Sequence, residues 1–93
     1  MMITLYRVGD DERIRYVTIH NRQTTLFSRH AFTVCEGVVH GAGSERLYTF
    51  DTQAELDAAL RRTIKRRTRQ GYRVLYSYFR KKEYNDIRPA LFA

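Results

Sequence analysis

The sequence predicts an α+β fold, a single antiparallel sheet of about five or six strands with one α-helix packed across one face. Three observations point there. Short runs rich in β-branched and aromatic residues are joined by connections too brief for the dozen or so residues of a parallel crossover. One long segment, Thr52 to Gly71, repeats its apolar residues at helical spacing. The composition, 43% hydrophobic and 13% aromatic with a single proline, is that of a packed domain rather than a basic tail. A chain of 93 residues makes one domain, hiding about 60 to 65% of the surface its unfolded form exposes.

Met2 to Val8 is β-prone and ends at Gly9-Asp10-Asp11, a turn composition, before Arg13 to His20 returns with Ile14, Tyr16, Val17, Thr18 and Ile19. These two runs read as a hairpin. A turn near Asn21 to Gln23 leads into Thr24 to Ser28, and another near Arg29-His30 into Ala31 to Val39. Gly41-Ala42-Gly43 is expected to supply a sharp or left-handed turn, and Glu45 to Phe50 a further strand.

The helix start is marked by Thr52 and Glu55, a capping-box pair that satisfies two otherwise orphaned amides. Leu56, Ala59, Leu60, Thr63 and Ile64 fall in one arc, while Arg61, Lys65 and Arg69 follow an i, i+4 row with Arg62 and Arg66 beside it. Acidic residues early and basic residues late complement the helix dipole. Arg67 projects onto the apolar side, so its stem is expected over the sheet edge with its head in water. Gly71 is the natural stop. Tyr72 to Phe79 then alternates as a last strand, with Tyr72, Val74, Tyr76 and Tyr78 expected on one side. Residues 81–93, with Lys81, Lys82, Ile87, Arg88-Pro89, Leu91 and Phe92, read as a less ordered basic tail of the single domain 1–93.

Cys35 is the only cysteine, which rules out an intramolecular disulfide and a cysteine-rich zinc site and suits a reducing cytoplasm. The first residues carry no apolar signal region, and no uncharged run approaches the roughly 18 residues of a membrane span. Catalysis finds no support. His20, His30 and His40 fall on different strands or turns without metal-ligand spacing, so no metal is expected. A nucleophile and base from Cys35 with His30 or His40 is conceivable, but the thiol sits in an apolar strand where such groups are packed and inert. Asp10-Asp11-Glu12 is a turn signature, and Glu55 with Asp57 belongs to the helix start. Gly41-Ala42-Gly43-Ser44 lacks the lysine of a P-loop, so no cofactor is expected.

The formal charge of +7 concentrates on the helix, where like charges repel unless an anion meets them. Arg61, Arg62, Lys65, Arg66, Arg69 and Arg73 are therefore the candidate contacts to nucleic-acid phosphates, DNA before RNA and without sequence preference. Tyr72, Tyr76 and Tyr78 beside basic residues could form a stacking platform, although packing beneath the helix explains most of them. The rival reading is a protein-interaction module, its basic helix meeting an acidic protein or its aromatics a second copy as a homodimer.

The order of elements resembles the WGR domain, a module named for a Trp-Gly-Arg motif and found in poly(ADP-ribose) polymerases and bacterial proteins. The corresponding stretches are Glu36-Gly37-Val38-Val39-His40-Gly41-Ala42-Gly43, Phe50-Asp51-Thr52 and Arg67-Thr68-Arg69-Gln70-Gly71-Tyr72. The similarity covers about residues 3 to 79, with Gly37, Val39, Gly43, Phe50, Gly71 and Tyr72 matching the pattern. Glu36 stands at the tryptophan position and Val38 at the arginine position, so the contacts those two residues make to a DNA end in polymerase members do not carry over. The resemblance implies an antiparallel sheet crossed by one helix.

Overall fold

The computed structural model describes residues 1–21 and 30–78, and of Tyr78 the backbone alone. The expected strand Thr24 to Ser28 and the tail 81–93 lie outside the described residues. Five strands and one helix follow in the order β1 (Met2–Val8), β2 (Ile14–His20), β3 (His30–Val38), β4 (Gly43–Phe50), α1 (Gln53–Arg69) and β5 (Arg73–Tyr78). They form one antiparallel sheet in the spatial order β4-β3-β2-β1-β5. The first four strands are a meander, and α1 carries the chain from the β4 edge across the sheet to the opposite edge, where β5 pairs with β1. The predicted α+β class is therefore the observed one.

Strand alternation sorts residues onto two faces. Ile3 pairs with Ile19, Ile19 with Val34, and Val34 with Arg46; the next row on that face joins Leu5, Val17, Glu36 and Ser44. This face meets Leu56, Leu60 and Ile64 of α1, and its apolar members are buried. Each such side chain fully removed from water stabilises the fold by about 1.5 to 3 kcal/mol. The other face carries rows joining Met2, His20, Thr33 and Leu47, then Thr4, Thr18, Cys35 and Glu45, then Tyr6, Tyr16, Gly37 and Gly43.

Both helix ends follow their local chemistry. The Thr52 hydroxyl accepts from the Glu55 amide at 3.2 Å, and the Glu55 carboxylate reaches one residue further back, to the Asp51 amide at 3.2 Å. At the other end Gly71 takes φ +95°, the Tyr72 amide donates to the Arg67 carbonyl and the Gly71 amide to that of Thr68, each at 3.1 Å. That is the glycine-dependent termination that satisfies the last carbonyls.

Two expectations are corrected. Register shifts between Thr4 and Leu5, so Val74 lies opposite Leu5 while Tyr76 lies opposite Thr4, with Leu75 as the extra residue between them. Tyr72 and Val74 therefore face α1, whereas Tyr76 turns to the far face and is 51% exposed. A bulge inverts strict alternation, and nothing in an alternating sequence announces it. In the turn between β3 and β4 the left-handed residue is His40, at φ 65°, rather than one of the glycines. Gly43 instead meets a demand for space, because a Cβ there would come within 2.7 Å of the Tyr16 hydroxyl.

Candidate nucleic-acid interface

Because α1 crosses a five-stranded sheet, it leaves part of β3 and β4 uncovered on its own side. Between helix and strands runs a groove of about 800 Å³. Its floor is aromatic: the Phe32 ring centroid lies 5.6 Å from that of Tyr48 and 5.3 Å from that of Phe50, in tilted contacts. Ala59 and Thr63 form the helix wall, and Arg62, Lys65, Arg66 and Arg69 line the cavity above them. Arg46 of β4, on the same sheet face as Val34, lines the opposite wall. Glu36 and Ser44, cross-strand partners on that same face, also contribute to the lining.

Four of the six residues singled out from the sequence thus converge on one cavity. Arg61 does not line it; the helical projection sets this half-buried residue on the flank opposite Thr63. Arg73 is separated more completely. It lies opposite Tyr6 in β5, on the sheet face turned away from α1. Arg46 was missed by sequence reasoning, although its position two residues before Tyr48 in an alternating strand carried the signal.

The ion pairs among the described residues are two, Arg15 with Asp11 at 3.2 Å and Arg67 with Glu36. Arg62, Lys65, Arg66, Arg69 and Arg46 enter neither, so this part of the ridge is not neutralised by the described carboxylates. Arg67 departs from expectation. Its guanidinium is drawn inward to Glu36, its side chain is 18% exposed, and it lies 5.6 Å from the centre of the Tyr72 ring. The β3 register explains this, since Glu36 shares the helix-facing row with Leu5 and Val17. Arg7 approaches the same ring at 5.3 Å and donates to the Gln70 carbonyl at 3.0 Å. Buried Tyr72 is therefore a packing residue held between two cations.

The positions highlighted by the WGR-like pattern also have local roles. Glu36 is the counter-ion of Arg67. Gly37 and Gly43 face each other across β3 and β4 beneath the Tyr16 hydroxyl. Val38 is half-buried, and the Val39 amide donates to the Ile14 carbonyl at 2.9 Å. Among the described residues no helix is long and apolar enough to cross a membrane. What fold and site define together is a small α+β domain with an aromatic-floored, cation-rimmed groove. Comparison with protein families, curated proteins and solved structures finds no match to the chain.

Proposed function

We propose that this chain is a non-enzymatic, WGR-like module that binds nucleic acid weakly and without sequence preference, DNA in the first instance, along the groove between α1 and β4. The observation that carries the reading is the combination of an aromatic floor with Arg46, Arg62, Lys65, Arg66 and Arg69 around it, none ion-paired among the described residues. Arg62 to Arg69 spans about 10 Å of helix at 1.5 Å per residue, enough to meet about three phosphates of one strand. Arg46 adds a contact across the groove. A base from a single strand would stack on Tyr48, which is 39% exposed, and stacking of this kind contributes about 1 to 3 kcal/mol per base. The single free thiol, Cys35, suits the cytoplasmic location that accompanies this reading.

The rival, self-association or docking of an acidic protein, draws on both sheet edges. Leu47 of β4 is 45% exposed and Leu75 of β5 is 67% exposed. Such edges invite pairing with another chain.

The test is a salt titration of binding to single-stranded, nicked and duplex oligonucleotides. Four engaged phosphates give a slope of log affinity against log salt of about −3 for single strands and about −4 for duplex. Arg62→Glu and Arg66→Glu should each weaken binding at least about tenfold at low salt, and Arg61→Glu and Arg73→Glu distinctly less. Equal losses from all four reversals would refute the groove. Absence of binding at low salt, with the protein eluting as a dimer, would favour the rival.

A further inference from the structure

The face of the sheet away from α1 brings together three chemically different ligands from three adjacent strands. His20 of β2, Cys35 of β3 and Glu45 of β4 present a ring nitrogen, a thiol sulfur and a carboxylate oxygen that all lie within 4.8 Å of one another. His20 Nε2 is 3.9 Å from Cys35 Sγ. Cys35 and Glu45 are direct cross-strand partners, and His20 sits on the neighbouring row. We propose that His20, Cys35 and Glu45 form a binding site for one divalent transition-metal ion, zinc by preference, on the sheet face opposite the groove.

Geometry and ligand type both favour it. With bonds of about 2.0 to 2.3 Å from zinc to nitrogen, oxygen and sulfur, the ligand atoms of a tetrahedral site stand about 3.3 to 3.7 Å apart. The sulfur and the nitrogen are already close to that separation. Glu45 is exposed at the sheet edge, so its carboxylate can close the remaining gap by a change of rotamer. A mixed nitrogen, sulfur and oxygen set is the borderline donor chemistry that zinc accepts and that calcium and magnesium do not favour. The fold also makes little use of the His20 ring. Its Nδ1 is buried with no hydrogen-bond partner among the described residues, and the neighbour of Nε2 is a thiol, a weak donor and acceptor. Three protein ligands leave a fourth position for water.

The same three residues resemble a nucleophile, a base and an orienting carboxylate, but the electrostatics run against that use. Burial, and after it the negative Glu45, push the Cys35 thiol above its ordinary value, the reverse of what a reactive thiolate requires.

The full chain, stripped with chelator and kept reduced, should be titrated with cobalt(II) as a spectroscopic stand-in for zinc. One equivalent is expected to produce a thiolate-to-cobalt charge-transfer band with tetrahedral visible bands, and added zinc should bleach both. Cys35→Ser should abolish the charge-transfer band. Glu45→Gln, at an exposed position that does not threaten folding, should lower affinity at least about tenfold, and His40→Ala should leave it unchanged. Absence of the band at excess cobalt in folded protein would overturn the site, as would a band that saturates at half an equivalent or one that Glu45→Gln leaves untouched. Oligonucleotide binding by the metal-free protein reports separately on the groove, so failure of one proposal is distinguishable from failure of the other.

Discussion

Glu36→Gln removes the charge that holds Arg67 against the sheet while keeping the shape of the side chain. An exposed ion pair contributes about 0 to 1 kcal/mol, and breaking a fully buried one costs about 3 to 5 kcal/mol. The Arg67 side chain is 18% exposed and that of Glu36 is 42% exposed, which sets this pair between the limits. The amide retains an acceptor, so the expected loss is about 1 to 2 kcal/mol. Two features restrain the cost: Arg67 keeps the Tyr72 face at 5.6 Å and the Gln70 side chain at 3.5 Å. One feature keeps it from vanishing, because Arg67 Nε is buried with no partner among the described residues and its guanidinium depends on the carboxylate for compensation.

For a domain of this size each kcal/mol moves the melting temperature by about 4 to 8 °C, so Glu36→Gln should melt roughly 5 to 15 °C below wild type. Thermal unfolding followed by circular dichroism measures this. Arg67→Met and the double variant complete a cycle whose interaction energy should be about 1 kcal/mol. The variant should also bind single-stranded oligonucleotide a few-fold more tightly at low salt, an advantage that disappears as salt screens it. An unchanged melting temperature together with strict additivity in the cycle would refute the reasoning.

Two further outcomes follow from local geometry. Gly71→Ala places a Cβ on a residue at φ +95° and should destabilise by about 1 to 2 kcal/mol in urea unfolding; wild-type stability would mean that the helix end relaxes without a left-handed residue. Asp11 accepts from the Arg15 guanidinium at 3.2 and 3.3 Å and from the Arg13 amide at 3.1 Å, and these bonds hold its carboxyl below the usual carboxylate range. A depressed native pKa stabilises above the unfolded value, so the gap in melting temperature between wild type and Asp11→Asn should be full at neutral pH and close as pH falls below about 4.

Local signals were legible in the sequence. The turn at Gly9 to Glu12, the Thr52 cap, the Gly71 stop and the buried stripe Leu56, Leu60 and Ile64 each depend on neighbours within a few residues, and each is found where the pattern set it. Features that depend on pairing were not. The bulge that turns Tyr76 away from Val74 arises between β5 and β1, which are far apart in the chain. The ion pair of Arg67 with Glu36 joins residues 31 positions apart. His20, Cys35 and Glu45 show no ligand spacing because sheet register, rather than helical repeat, brings them together.

Register is therefore the property on which both candidate sites rest. In β3, Val34 and Glu36 face α1 while Cys35 between them faces away. A slip of one residue would carry Glu36 to the far face, strip Arg67 of its counter-ion and turn Cys35 under the helix. Two devices oppose that slip. The apolar row Ile3, Ile19 and Val34 can be buried in one phase alone, and Gly37 and Gly43 form a cross-strand pair so close that a Cβ at Gly37 would lie 2.9 Å from Gly43 Cα. Neither residue of that pair contacts a phosphate or a metal in either proposal. Their requirement is steric, and through it the backbone determines which side chains each face presents.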